Sequence, residues 1–239
     1  MKNTKIEWTD ETWNPISGCS KISAGCDNCY AARIAERFRG TKAYPDGFEV
    51  TIKPSELFGK RWRQPKSVFV CSMGDLFHEK VPYDVIGKIY ETMLDNQHCT
   101  FYVLTKRPGK LLRALEKGYV SQTGFIWHGV SVENQQTADT RLNVLTKMRY
   151  SPLFVSIEPM LGPVDLTPWI SKLNWVILGG ETGPGARAVR EEWIADVKNL
   201  CVENNVPFFF KKWGSAAKRK DRLFEGKEWN EIPRKEDRP

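Results

Sequence analysis

Cys19, Cys26 and Cys29 place three of the chain's six cysteines within eleven residues, in the run Cys19-Ser-Lys-Ile-Ser-Ala-Gly-Cys26-Asp-Asn-Cys29-Tyr30. Three thiolates on one loop can hold three irons of a 4Fe-4S cluster and leave the fourth iron open to a ligand, whereas a closed zinc site requires a fourth protein ligand. Pro15, Gly18 and Gly25 give the segment a loop's composition and allow the sharp turns that let side chains converge. Cys71, Cys99 and Cys201 read differently: each sits singly within or beside an apolar stretch, where cysteine packs as a small hydrophobe. The amino terminus lacks the apolar core of a signal peptide, and no apolar run approaches the ~20 residues that span a bilayer. A cytoplasmic protein with no membrane partner is therefore expected. In that reducing compartment, clustered cysteines bind metal or do redox chemistry rather than pair as disulfides.

The elements that must position this loop follow from the hydrophobic pattern. At 239 residues, 41% hydrophobic and 27% charged, the chain suits one large soluble domain over residues 1–239. Short β-rich apolar runs recur at Ser67–Cys71, Thr100–Leu104, Ile126–Val132, Leu153–Ile157, Trp175–Leu178 and Pro207–Phe210, with a first strand near Thr12–Ser17. Apolar throughout, they read as strands buried on both faces of a parallel sheet. Stripes at helical spacing lie between them: Val85, Ile86, Ile89, Tyr90, Met93 and Leu94; Ala138, Leu142, Leu145 and Met148; Trp193, Ile194, Val197, Leu200 and Cys201. About seven strands in successive βαβ units predict an α/β fold, a full or partial barrel of parallel strands with outer helices. An open doubly wound sheet satisfies the same periodicity.

In either architecture functional groups gather at the carboxyl ends of the strands. Reading each strand into its loop brings Asp75, Lys106, Glu133, Glu158, Glu181 and Lys211 to one rim, the rim on which the cysteine loop opens. Such a ring of acids and lysines suits a zwitterionic or polyhydroxylated ligand. Gly179-Gly180-Glu181-Thr182-Gly183-Pro184-Gly185 fits neither a P-loop nor a dinucleotide fingerprint. His78, His98 and His128 show no metal spacing, and no serine sits in a nucleophile elbow.

The net charge of +7 is uneven: residues 211–239 hold ten basic and six acidic side chains. This basic C-terminal segment, packed on the barrel or extending from it, could meet the phosphates of a nucleic acid through Lys218, Arg219, Lys220 and Arg222, with Trp213 offering a stacking surface. The opposing reading is a solvated face of mixed sign.

Together the three-cysteine loop and the barrel resemble the radical S-adenosylmethionine (SAM) enzymes. More closely, the chain resembles the phage- and bacteria-associated three-cysteine-motif proteins, a family of unknown function distantly similar to spore photoproduct lyase. The resemblance runs through Ile6-Glu7-Trp8-Thr9, Thr12-Trp13-Asn14-Pro15, Gly18-Cys19, Gly25-Cys26-Asp27-Asn28-Cys29-Tyr30, Leu104-Thr105-Lys106-Arg107-Pro108, Gly129-Val130-Ser131-Val132-Glu133-Asn134, Ser156-Ile157-Glu158-Pro159 and Gly179-Gly180-Glu181. It implies a 4Fe-4S cluster on Cys19, Cys26 and Cys29, with SAM chelating the open iron. An electron donor would drive reductive cleavage of SAM to methionine and a 5'-deoxyadenosyl radical, which abstracts hydrogen from a substrate. It also implies that Ser72 and Asp75, after the second strand, lie where the methionine amine is gripped, and that Lys106, Glu133, Glu158 and Glu181 are candidates for the carboxylate and ribose. A genomically linked partner protein would fit the family's habit. This chain departs from the commonest motif in two places: six residues separate its first two cysteines, and Asn28 stands where an aromatic residue precedes the third, so that Tyr30 is the candidate adenine contact. The competing expectation is a non-catalytic nucleic-acid-binding protein whose cysteine loop holds a structural zinc, with Cys71, Cys99 or His78 as fourth ligand.

Overall fold

A computed structural model describes residues 4, 6–57, 59–217 and 221–233. In chain order its elements are β1 (Glu11–Trp13), β2 (Ile16–Ser17), α1 (Tyr30–Arg37), β3 (Thr51–Ile52), α2 (Pro54–Leu57) and β4 (Ser67–Val70). They continue as α3 (Tyr83–Leu94), β5 (Thr100–Thr105), α4 (Pro108–Glu116), β6 (Ile126–Val132), α5 (Gln135–Leu145) and β7 (Leu153–Ile157). The last are β8 (Trp175–Gly179), α6 (Glu191–Glu203), β9 (Phe208–Lys212), β10 (Leu223–Phe224) and β11 (Lys227–Glu228).

Seven strands form one parallel sheet in the order β1-β4-β5-β6-β7-β8-β9. Each new strand joins beside the one before it. A doubly wound sheet must reverse that order at a switch point, so the sequential order rules that alternative out. The sheet also curls. Tyr102 on β5 and Trp175 on β8 lie three strands apart, which in a flat sheet separates them by roughly 14 Å, yet their rings approach to 5.5 Å. Among the described residues no ladder joins β1 to β9, and the result is a half-barrel with flanking helices.

The strands bury side chains on both faces, as their continuous apolar runs require. Aliphatic residues such as Val103, Val130, Val155 and Val176 face the helices. Inside the curl an aromatic cluster of Phe69, Tyr102, Trp127, Phe154, Trp175 and Phe209 closes around Trp8. Trp8 precedes the first strand and packs its ring 4.8 Å from Phe69 and 5.6 Å from Trp175, plugging the end of the barrel opposite the strands' carboxyl ends.

Two expectations change. The first strand, expected near Thr12–Ser17, ends at Trp13; Ile16 and Ser17 instead pair antiparallel with Thr51 and Ile52 outside the barrel wall. Pro15 lacks the amide a ladder needs, and it separates the two. Trp213, expected as an exposed stacking surface, is buried, with its indole N–H donating to Leu223 O at 3.0 Å. The described part of the C-terminal segment packs on the barrel: Phe210 N–H donates to Trp229 O at 2.8 Å, covering the outer edge of β9. Lys218, Arg219 and Lys220 lie outside the described residues. No described helix is long and apolar enough to cross a membrane.

Candidate functional site

The cysteine loop is pinned at both ends by backbone. Gly18 takes φ +85°, donates its N–H to Met73 O at 2.9 Å, and has Glu49 O only 2.1 Å from where a Cβ would stand. Gly25 is required by close approach: a Cβ there would meet Glu133 Cγ at 2.3 Å. Cys29 caps the amino end of α1, and its carbonyl accepts from Arg33 N–H at 3.2 Å. All three loop cysteines are half-buried. All three line one cavity of about 410 Å³ at the carboxyl ends of the strands.

A cation stands beside two of the sulfurs. Arg107 Nη1 lies 3.2 Å from Cys19 Sγ, and Lys106 Nζ lies 3.7 Å from Cys26 Sγ. Burial pushes the Cys26 thiol up, but Lys106 and neighbouring hydrogen bonds outweigh it and leave the group below its ordinary value. At Cys19 burial, joined by the Asp75 carboxylate, wins over Arg107 and raises the thiol to about 11.

Behind the sulfurs every rim carboxylate has its own cation. Asp75 accepts from Thr105 Oγ1 at 2.7 Å, Phe77 N at 2.9 Å, Arg107 Nη1 at 3.1 Å and Lys106 N at 3.2 Å. It anchors the loop after β5 and lines the cavity. Glu133 is buried and lies outside the cavity lining, held by Ser23 Oγ at 2.8 Å, Arg141 Nη1 at 3.1 Å, and Lys106. Burial opposes its ionisation, and Lys106 and Arg141 overcome that to hold its carboxyl below the usual range. Glu158 does line the cavity; Lys211 Nζ at 2.8 Å and Lys212 Nζ at 3.1 Å outweigh burial and hold its carboxyl low. Glu181 is buried against the Arg187 guanidinium, whose hydrogen bonds carry its carboxyl down to about 2. Arg187 Nη2 also donates to Ala24 O at 2.7 Å, tying the cysteine loop to the loop after β8.

The remaining expected residues meet at the cavity mouth. Tyr30 donates its hydroxyl to Ser72 O at 2.5 Å while its residue stays 45% exposed, and Ser72 Oγ donates to Asn14 Oδ1 at 3.2 Å. Burial of that hydroxyl, together with Glu158, raises the phenol. Cys71 follows β4 with φ +59°, a backbone conformation costly for a residue with a Cβ, and this turn sends Ser72–Asp75 toward the cavity. Deeper in, Ser131 and Ser156 pair in register across β6 and β7 and line the cavity above an apolar floor of Trp8, Phe69 and Leu104.

Sequence reasoning missed the cations that complete this arrangement. Arg107 and Arg187 carried a signal, since one follows Lys106 directly and the other follows the glycine-rich turn. Arg141 carried none, because a charge inside a helical stripe reads as solvated.

Three thiolates that each take a different iron need not converge on one point, whereas a single zinc ion requires four ligands within roughly 2.0–2.3 Å. Among the described residues no three His, Cys, Asp or Glu side chains stand close enough to share one ion. Cys99 lies at the far end of the barrel, its thiol 3.8 Å from Gln64 O. His78 accepts from Lys80 N–H at Nδ1, 3.1 Å away, which leaves Nε2 to donate to Ser20 Oγ at 2.8 Å.

A family model described as "Protein of unknown function (DUF5131)" matches residues 3–233. No curated protein and no solved structure matches the chain.

Proposed function

The chain belongs to the family of that model, and from its cysteine loop and cavity we propose that it is a radical SAM enzyme whose Cys19, Cys26 and Cys29 hold a 4Fe-4S cluster. The observation that carries the reading is that all three cysteines line one 410 Å³ cavity, with Arg107 and Lys106 beside two of the sulfurs. Together with SAM, and with one electron from a donor, such a cluster supplies reductive carbon–sulfur cleavage and hydrogen abstraction from a substrate.

The chain's own groups bind, orient and exclude water. Arg107 and Lys106 direct N–H groups at the sulfurs, a means of setting a cluster's potential. Lys106 would hold the carboxylate of SAM, with Glu133 positioning that lysine from behind. Tyr30 and the Ser72 backbone line the side of the mouth nearest Cys29, while Glu158, Ser131 and Ser156 offer acceptors and donors to ribose hydroxyls. Trp8, Phe69 and Leu104 keep the floor apolar and dry.

The test is metal and sulfide content after anaerobic reconstitution. Four irons and four sulfides per chain are expected in the wild type, with near-complete loss in Cys19→Ala, Cys26→Ala and Cys29→Ala and retention in Cys201→Ala. Full iron loading of all three loop variants would sink the assignment.

A further inference from the structure

Helix α1 is amphipathic in the wrong direction for a helix that only packs. Its buried side chains are the small Ala31 and Ala35. The large apolar ones, Tyr30, Ile34 and Phe38, follow at four-residue spacing and are 45%, 40% and 47% exposed. A surface helix ordinarily buries its large apolar residues. With Ile22 of the cysteine loop, this stretch holds four of the nine exposed large hydrophobic side chains among the described residues. Singly scattered apolar residues need no explanation, but a cluster does.

Basic residues border the stripe. Arg33 and Arg37 are exposed at i and i+4, and among the described residues neither stands in an ion pair with a carboxylate. Arg33 Nη2 donates to Thr182 O at 3.0 Å, and the Arg37 guanidinium lies 5.8 Å from the Phe38 ring centre. Lys21, Arg33, Arg37, Arg39 and Lys42 face only Asp27 and Glu36 within residues 21–42, a surplus of three positive charges. Tyr30 belongs both to the stripe and to the cavity lining, so the surface runs into the cavity mouth.

We propose that this outer face of α1 is a docking surface for single-stranded nucleic acid. Bases stack on Tyr30 and Phe38, phosphates pair with Arg33, Arg37 and Lys42, and the strand passes the cavity mouth. Interleaved aromatic and arginine side chains match unpaired bases on a phosphate backbone, whereas the bases of a duplex are already stacked. The half-sunken side chains offer faces for stacking rather than wedges for a bilayer. Binding does not require the cluster, so failure here and failure of the radical SAM reading are separately visible.

Fluorescence anisotropy of the full chain with labelled oligo-dT and oligo-rU of about 15 nucleotides, from about 50 to about 200 mM salt, tests the surface. Saturable, salt-sensitive binding is expected. Arg33→Ala with Arg37→Ala should weaken it at least about tenfold and lower the log–log salt slope by about 1.4. Phe38→Ala should weaken it about fivefold or more and leave the slope unchanged. Lys147→Ala with Arg149→Ala, at the opposite end of the barrel, should have no effect. Circular dichroism confirms folding, and the Arg37→Ala and Phe38→Ala single variants, whose side chains lie exposed, keep the test intact if a double variant misfolds. No saturable binding, equal affinity for duplex, or indifference to the α1 substitutions would overturn the proposal. So would salt-sensitive binding of anionic vesicles or of an acidic protein through α1 where oligonucleotides fail.

Discussion

Arg107 does three things from one buried position: it neutralises Asp75, fixes Ser20 and places an N–H on Cys19. Removing one member of a buried ion pair strands the other, which typically costs about 3–5 kcal/mol. Arg107→Leu should lower the unfolding free energy of the iron-free protein by that amount in urea titrations. Arg107→Leu with Asp75→Asn should recover part of the loss, because the stranded charge is then gone. Fully additive losses would show that Asp75 and Arg107 are not coupled. Residue types at strand ends revealed the acids, Lys106, Lys211 and the three cysteines. They did not reveal that Asp75 and Glu133 spend their acceptors on the protein, since hydrogen-bond saturation depends on which loops meet across the barrel mouth.

Element by element, the apolar runs placed six of the seven barrel strands to within one or two residues, because strands buried on both faces carry a continuous signal. They missed the break after Trp13, which turns on one proline, and the short helices α1 and α4, whose buried faces are too narrow to show a stripe. They also did not mark the pair that joins α3 to β6. Tyr90 and His128 lie fully buried, Tyr90 Oη 2.8 Å from His128 Nε2, with Nδ1 unpartnered. Burial lowers His128 from 6.5 to about 3, so the native state holds it neutral while the unfolded chain protonates it first. Stability from this group is complete above about pH 6.5 and is lost on acidification, by up to about 1.4 kcal/mol per pH unit, until about pH 3. Denaturant titrations between pH 7.5 and 5 should show that loss, over and above the general acid effect, in the wild type. Replacing the pair, Tyr90→Phe with His128→Leu, should flatten the curve by one proton while keeping the site apolar. An unchanged slope would mean that His128 already titrates normally in the fold.

Across the whole molecule, the strands follow one another in order, the sheet they form curls, the curl brings six strand ends around one mouth, and the cysteine loop lies at that mouth. Each acid of the rim is paired with at least one base, and both signs face the 410 Å³ cavity. That is the setting in which the open coordination position of the proposed cluster would have a purpose. Whether this loop holds a cluster to which SAM binds is read by electron paramagnetic resonance of the anaerobically reconstituted, dithionite-reduced full chain with and without SAM. A reduced 4Fe-4S signal whose g-values shift on adding SAM is predicted. A zinc-loaded protein with no iron signal, or a cluster signal indifferent to SAM, would contradict the account.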